Sequence, residues 1–409
     1  MIQFYLLYID PGTGSALFAV LIGIASTLFF LFRALLLKLK SGVFGKKKSD
    51  NSNFILKYVI YCEGKQYWNV FKSVVEEFEK NKTELHYLTS SSDDPVFDTS
   101  WNYIKPKFIG DGNKAFAHLN FLSAEILLMT TPGLDVYQLK RSKTVKHYSH
   151  VLHSPADTTT YRLFGLDYFD SVLLTGDYQI NDIRYLEKQR NLPEKKLVTV
   201  GCSYLDEYSH KINQLPPENN HQFTVLISPS WGTSALLSRY GEKLLDPLSV
   251  SDWRIIIRPH PQSKKSEKEM LEKLEERYKN NTNIVWDYDR ENIYSLNKSD
   301  IMISDFSGII YDYMFLRDKP VLYLKHDFDT SPYDADDIDH ELWQFKVLKE
   351  AGIELKEDDF LKLTEIIINT SDNEILKKSR NEAKETAWQH QYEAGRNIYN
   401  FMIKVVNNA

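Results

Sequence analysis

Ser299-Asp300-Ile301-Met302-Ile303-Ser304-Asp305-Phe306-Ser307-Gly308-Ile309-Ile310-Tyr311-Asp312-Tyr313 is the segment on which the fold turns. A short β-forming apolar run ends at Ser304, a tight loop carries Ser307-Gly308, and a helix starts at once. That order is a strand feeding a helix in an open α/β sheet, where ligands gather at the carboxyl ends of strands. Ser307 is suited to cap the helix, and Gly308 lets a phosphate approach the backbone. Free N–H groups and the helix dipole make that point an anion site. Asp312, one turn on, is placed to accept hydrogen bonds from ribose hydroxyls. The plainer reading is a capping serine followed by a solvated carboxylate.

Moving outward, the same grammar recurs. Phe223-Thr224-Val225-Leu226-Ile227 and Trp253-Arg254-Ile255-Ile256-Ile257 precede the segment. Asn283-Ile284-Val285-Trp286 lies between, and Pro320-Val321-Leu322-Tyr323-Leu324 comes after it. A charged amphipathic helix is expected over residues 266–278. Before the polar stretch Gln214-Leu215-Pro216-Pro217-Glu218-Asn219-Asn220 the pattern has already run once. Strands are expected at 54–61, 85–88, 125–129, 171–174 and 197–201, and helices at 70–78 and 180–190. Short β-rich runs alternating with helical segments mean βαβ units and parallel sheets. The expectation is an α/β protein of two Rossmann-like halves facing across a cleft: residues 54–213 and 221–385, with residues 386–409 a helix crossing back to the first half. The Asp- and Ser-rich residues 327–339 read as a solvated, mobile loop near the cleft.

The N-terminus is of another kind. Residues 16–32 are almost wholly apolar, and residues 34–37 extend the run past Arg33. About twenty such residues suffice to cross a bilayer as a helix. Positive charge comes after the run (Arg33, Lys38, Lys40, Lys46, Lys47, Lys48) and none precedes it, so residues 1–40 are expected to be a single-pass anchor with the N-terminus outside. Residues 41–53 form a basic linker that anionic headgroups would attract.

Composition narrows the function. The 409 residues carry a net charge of -6, with no basic stripe interleaved with aromatics, so nucleic acid is not an expected partner. The only cysteines, Cys62 and Cys202, lack metal-ligand spacing and read as small buried apolar residues of a reducing compartment. Asp287-Tyr288-Asp289 has the letters of a metal site but falls after a strand and reads as a loop, so neither metal nor cofactor is expected.

Two further segments carry histidine. Arg258-Pro259-His260-Pro261 comes directly after a strand, so His260 stands over the crevice of the Ser307 loop. There it can donate to a diphosphate and steady charge on a leaving group, and Arg258 can grip phosphate. Leu152-His153-Ser154-Pro155 lies in the first half, where an imidazole suits a general base. By spacing alone, His147, His150 and His153 are equivalent.

The combination Arg258-Pro259-His260-Pro261, then Ser304-Asp305-Phe306-Ser307-Gly308 with Asp312, then Lys319-Pro320-Val321 resembles the CDP-glycerol glycerophosphotransferases of teichoic-acid and capsule synthesis. His153, Phe169-Asp170-Ser171, Gly176 and Gln179 resemble that family's base segment. Ile227-Ser228-Pro229-Ser230-Trp231-Gly232 is similar to its second-domain entry loop. The resemblance spans about residues 145–330 and implies a GT-B fold that works without metal. It implies His153 as base, His260 as the donor-phosphate histidine and Ser307-Gly308 as the phosphate loop, with Ser228, Arg258 and Asp312 completing a donor site. This chain has His153-Ser154 where the family often has His-Gly, and Ser307-Gly308 where it commonly has two hydroxyl residues. The Ser-Gly version is also similar to nucleotide-sugar epimerases and transferases.

The activity that this resemblance implies is transfer of glycerol phosphate, or a related polyol phosphate, from a CDP-polyol to a lipid-linked acceptor. Such a transferase would sit on the inner membrane of a bacterium, with its catalytic halves in the cytoplasm. The alternatives are a GT-B glycosyltransferase using a UDP-sugar and a membrane-tethered nucleotide-binding protein without catalysis.

Overall fold

The computed structural model describes residues 27–28, 55–216, 222–289, 291–324, 329–371 and 373–408. The first half runs β1 (Leu56–Cys62), α1 (Trp68–Lys80), β2 (Leu85–Thr89), β3 (Ile104–Phe108), α2 (Asn113–Leu119) and β4 (Ser123–Met129). It continues through β5 (Thr144–Val151), β6 (Ser171–Leu174), α3 (Gln179–Gln189), β7 (Lys196–Thr199) and α4 (Ser203–Asn213). The second half opens with β8 (Thr224–Ile227), α5 (Leu236–Ser249), β9 (Arg254–Ile257), α6 (Lys268–Tyr278), β10 (Ile284–Trp286) and α7 (Ile293–Lys298). After these come β11 (Ile301–Ser304), α8 (Ile309–Arg317), β12 (Val321–Leu324), α9 (Trp343–Ala351), β13 (Ile353–Leu355), α10 (Leu363–Ser371), α11 (Glu374–Ala387) and α12 (Ala394–Asn407).

Both sheets are parallel throughout, ordered β3-β2-β1-β4-β5-β6-β7 and β10-β9-β8-β11-β12-β13. Each sheet therefore reverses its winding once, between β1 and β4 and between β8 and β11. A crevice opens at such a reversal and is the ligand site of doubly wound sheets. The apolar strands result from this architecture, because helices cover both faces of a parallel sheet. β8, β11 and β12 are buried along their whole length.

Alternate residues of each strand feed opposite layers. Val225, Ile227, Ile255, Ile257, Ile301 and Ile303 pack with Leu244 and Leu245 of α5. Leu226, Ile256 and Met302 point the other way, into a layer shared by Ile310 and Met314 of α8 and by Cys202 and Leu205 from the first half. The two halves thus share a core. At the C-terminus, Ile398, Phe401 and Met402 of α12 pack with Val70, Phe71 and Val74 of α1.

Three strands escaped the pattern. β5 is broken up by Lys146, His147 and His150, β3 is an edge strand carrying Pro106 between two lysines, and β13 is three residues long. The helix expected over residues 266–278 begins as a separate turn, Ser263–Ser266, and restarts at Lys268. In the acidic segment Asp329, Ser331, Asp336, Asp337 and Asp339 are exposed as expected, but one carboxylate is not. Asp334 is only 2% exposed: it accepts from the Phe164 and Gly165 N–H groups and pairs with Arg190 at 2.7 Å. Burying a carboxylate requires such partners.

Apart from Thr27 and Leu28, both helical, the stretch 16–37 lies outside the described residues, as does the basic linker 41–53. Among the described residues no helix is long and apolar enough to cross a membrane.

Candidate active site

The loops after β8, β9 and β11 meet at the reversal of the second sheet. Asp305, the residue after β11, ties the first and third together. Its carboxylate accepts from the Ser230 N–H and Oγ–H, the Leu236 N–H and its own neighbour, the Phe306 N–H. Ser304 Oγ donates to the Ser228 carbonyl at 2.6 Å, and the Ser228 N–H donates to the Ile303 carbonyl. Ser228 is buried and serves the seam between the strands through its backbone. Gly232 turns the loop at φ +98°, a conformation that favours glycine.

Helix α8 begins from this loop. Its N-cap is Gly308, and Ser307, half-buried, precedes the cap instead of forming it. A Cβ added to Gly308 would meet nothing within 4 Å. The glycine is therefore not required by packing, and open space lies beside the start of the helix. Asp312 is buried within α8 and accepts from Tyr204 Oη of the first half at 3.0 Å. Burial raises its pKa to about 7.

His260 lies beside the loop. Its Nδ1 accepts from the Gln262 N–H at 3.1 Å, so in a neutral ring the proton resides on Nε2. Burial lowers its pKa, against the opposing pull of Glu267 and Asp305, and keeps the ring neutral near pH 7. Trp231, half exposed, stacks beside it with ring centroids 6.2 Å apart. Arg258 does not point a free fork at this space. It donates to Asp287 Oδ2 at 2.6 Å and to the Asp289 carbonyl at 2.7 Å, bracing the loop that presents His260.

In the first half the structure separates the three histidines. His147 bonds Ser171, and His150 is fully buried in β5. His153 stands half-buried past the end of β5, where the reversal of the first sheet opens. Its Nδ1 lies 3.1 Å from Thr130 Oγ1 and 3.2 Å from Tyr161 Oη. Burial lowers its pKa to about 4, so the imidazole is neutral and able to accept a proton. Asp305 and Tyr161 are the residues that spacing did not reveal: Ser230, which Asp305 holds, is 75 residues away, and Tyr161 returns to His153 through an irregular loop that carries no periodic signal. Among the described residues no cluster of His, Cys, Asp or Glu could hold a metal ion.

The family of CDP-Glycerol:Poly(glycerophosphate) glycerophosphotransferases matches residues 182–390, just over half of the chain. The chain belongs to that family. The matched region contains His260, Asp305, Ser307 and Asp312, while His153 lies before it. No curated protein matches by sequence.

Among solved structures, the wall teichoic acid polymerase TagF aligns at 14% identity with a TM-score of 0.58, covering 92% of this chain and 98% of that one. A UDP-GlcNAc 2-epimerase from Methanocaldococcus jannaschii aligns at 12% identity and a TM-score of 0.53, covering 87% and 100%. A glycosyltransferase from Rickettsia africae gives 11% and 0.51, with the same coverage. These likenesses establish the GT-B-like fold. Family membership supports a polyol-phosphate transferase of the CDP-glycerol-using kind.

Proposed function

We propose that this protein transfers glycerol phosphate, or a related polyol phosphate, from a CDP-polyol to a hydroxyl of a lipid-linked cell-envelope or capsule acceptor, releasing CMP. One observation carries the reading within the family: a neutral imidazole with its proton on Nε2 and the N-terminus of α8, opened by a glycine with free space at its Cβ position, occur together at the reversal of the second sheet. Both donate hydrogen bonds to anionic oxygen, which is what a nucleoside diphosphate presents.

In this mechanism Ser307, Gly308 and His260 hold the diphosphate, within the wall that Ser228 and Asp305 build. Arg258 contributes through the loop it braces, and Asp312 receives the ribose with the oxygen that Tyr204 leaves. The acceptor oxygen attacks the phosphorus that bears the polyol. A new P–O bond forms, the bridging P–O bond breaks, and its electrons leave on CMP. His153 takes the acceptor's proton. Its low proton affinity, set by burial, rises beside an anionic diphosphate, because a neighbouring negative charge favours imidazolium. His260 and the α8 N-terminus steady the charge on the leaving phosphate. The apolar stretch 16–37 would keep the enzyme beside a lipid-linked acceptor, with the catalytic halves in the cytoplasm.

The test is release of CMP by the detergent-solubilised protein given CDP-glycerol, CDP-ribitol or UDP-sugars with a lipid extract. CMP release that disappears in His153→Ala supports the reading. UDP release from a UDP-sugar would replace it with the sugar-transferase alternative.

A further inference from the structure

The loop after His153 brings a tyrosine back to its ring. Tyr161 Oη lies 3.2 Å from His153 Nδ1 and 3.2 Å from Nε2 of His150, which sits deeper, within β5. The phenol stands edge-on to the His150 ring, with centroids 5.4 Å apart. Burial raises the Tyr161 pKa, so the group remains a phenol with one proton to give and lone pairs to receive.

A neutral imidazole holds one N–H and one bare nitrogen, and the bond at one nitrogen decides the state of the other. Three groups in a row permit two directions of hydrogen bonding. In one, protons run from His150 to Tyr161 to His153 and leave His153 Nε2 protonated, unable to act as a base. In the other they run from His153 outward and leave Nε2 bare. A base at His153 requires the second direction, and the surroundings accommodate it. Thr130 Oγ1, 3.1 Å from the same Nδ1, offers a His153 N–H a second acceptor. His150 Nδ1 has no hydrogen-bond partner among the described residues, so no donor requires it to stay bare, and a proton there leaves Nε2 to accept from Tyr161.

We propose that Tyr161 is the positioning residue for the base: its hydroxyl accepts the His153 Nδ1–H and donates its own proton to His150 Nε2, which leaves His153 Nε2 free to take the acceptor's proton. This rests on the assignment of His153 as base under the proposed function. The donor half holds Tyr161 in place. The Asp334 N–H donates to the Tyr161 carbonyl at 2.9 Å, Arg162 and Tyr333 form an antiparallel bridge, and the Asp334 carboxylate accepts from the next turn of the same loop. The half that binds the nucleotide thereby sets the proton on the base in the other half.

The test uses the full chain and Tyr161→Phe, which keeps the ring and removes the hydroxyl. Turnover should fall by about 10²-fold, the lower range of general-base contributions. KM for CDP-glycerol and calorimetric donor affinity should stay as in the unmodified protein. In ¹⁵N-histidine NMR of the unmodified protein, the resonance missing from His153→Ala should report a protonated Nδ1 and a bare Nε2. Unchanged turnover in Tyr161→Phe, or a protonated Nε2 in the unmodified protein, overturns the inference. Should Tyr161→Phe not fold, the tautomer measured on the unmodified protein decides alone. Normal turnover in His153→Ala would instead overturn the base assignment beneath it, which is a different result.

Discussion

Asp305 grips Ser230 twice, accepting its N–H at 2.9 Å and its Oγ–H at 3.0 Å, and so closes the loop after β8 onto the loop after β11. The carboxylate is 3% exposed and also accepts from the Leu236 and Phe306 N–H groups. Every one of its partners is a donor. Asp305→Asn turns one acceptor into a donor facing an N–H or O–H, and the orphaned groups cannot reach water. Loss of about 2–3 kcal/mol is expected in urea unfolding, with weakened CDP-glycerol binding by calorimetry because Trp231 and Gly232 lose their anchor. A variant that keeps full stability and full affinity would show the contacts to be incidental.

His260 is expected to act on turnover more than on binding. Its Nε2–H would meet charge that grows as the bridging P–O bond breaks, so its bond strengthens in the transition state. Replacing such a donor costs about 10²–10³-fold in kcat. Steady-state CMP release should show that loss in His260→Ala and partial recovery in His260→Gln, whose amide can still donate. Equal losses in kcat and donor affinity in both variants would point to a role in shaping the loop.

Arg258 is expected to fail as a brace. Its ion pair with Asp287 is about one-tenth exposed on each side, and Ser295 also donates to the same Asp287 oxygen. Removing the arginine leaves a largely buried carboxylate short of a cation, at a cost of about 3–5 kcal/mol. Arg258→Lys should recover little, since an ammonium cannot reach Asp287 and the Asp289 carbonyl together in the guanidinium's planar geometry. Chemical denaturation reads both. A stable Arg258→Ala whose donor affinity alone collapses would return the arginine to direct phosphate contact.

The parts of this arrangement that were legible in the sequence are those written locally. Val225 to Ile227 and Ile301 to Ile303 announce buried parallel strands, because both faces are covered and the run must be apolar. The Ser307 loop and Arg258-Pro259-His260-Pro261 are visible because each comes directly after such a strand. Asp305 sits between the strand and the Ser307 loop, yet its role is invisible locally, since it depends on Ser230, 75 residues earlier. Arg258 is the same lesson in reverse: its neighbours suggest phosphate, and Asp287 claims it from across the β9–β10 connection. The choice among His147, His150 and His153 depends on depth along β5, which one-dimensional spacing does not measure.

Asp312 makes stability fall as pH rises. Its pKa of about 7 in the folded protein, against an ordinary 3.8, comes first from burial, and the Tyr204 hydroxyl bonded to it pulls only partly the other way. Between pH 4 and pH 7 the folded carboxyl keeps its proton while the unfolded one has lost it. The contribution is therefore fully present below the unfolded pKa and is lost as pH rises through the folded one. Asp312→Asn keeps an acceptor for Tyr204 and cannot ionise. Relative to the unmodified protein it should gain stability steadily from pH 4 to pH 7 and then level off, by as much as roughly 4 kcal/mol for a shift of this size. Urea unfolding at fixed ionic strength across that range measures the difference directly. Parallel curves for the two proteins would mean that the carboxyl ionises in the folded state at its usual pH, and that Tyr204 bonds a carboxylate already charged at pH 5.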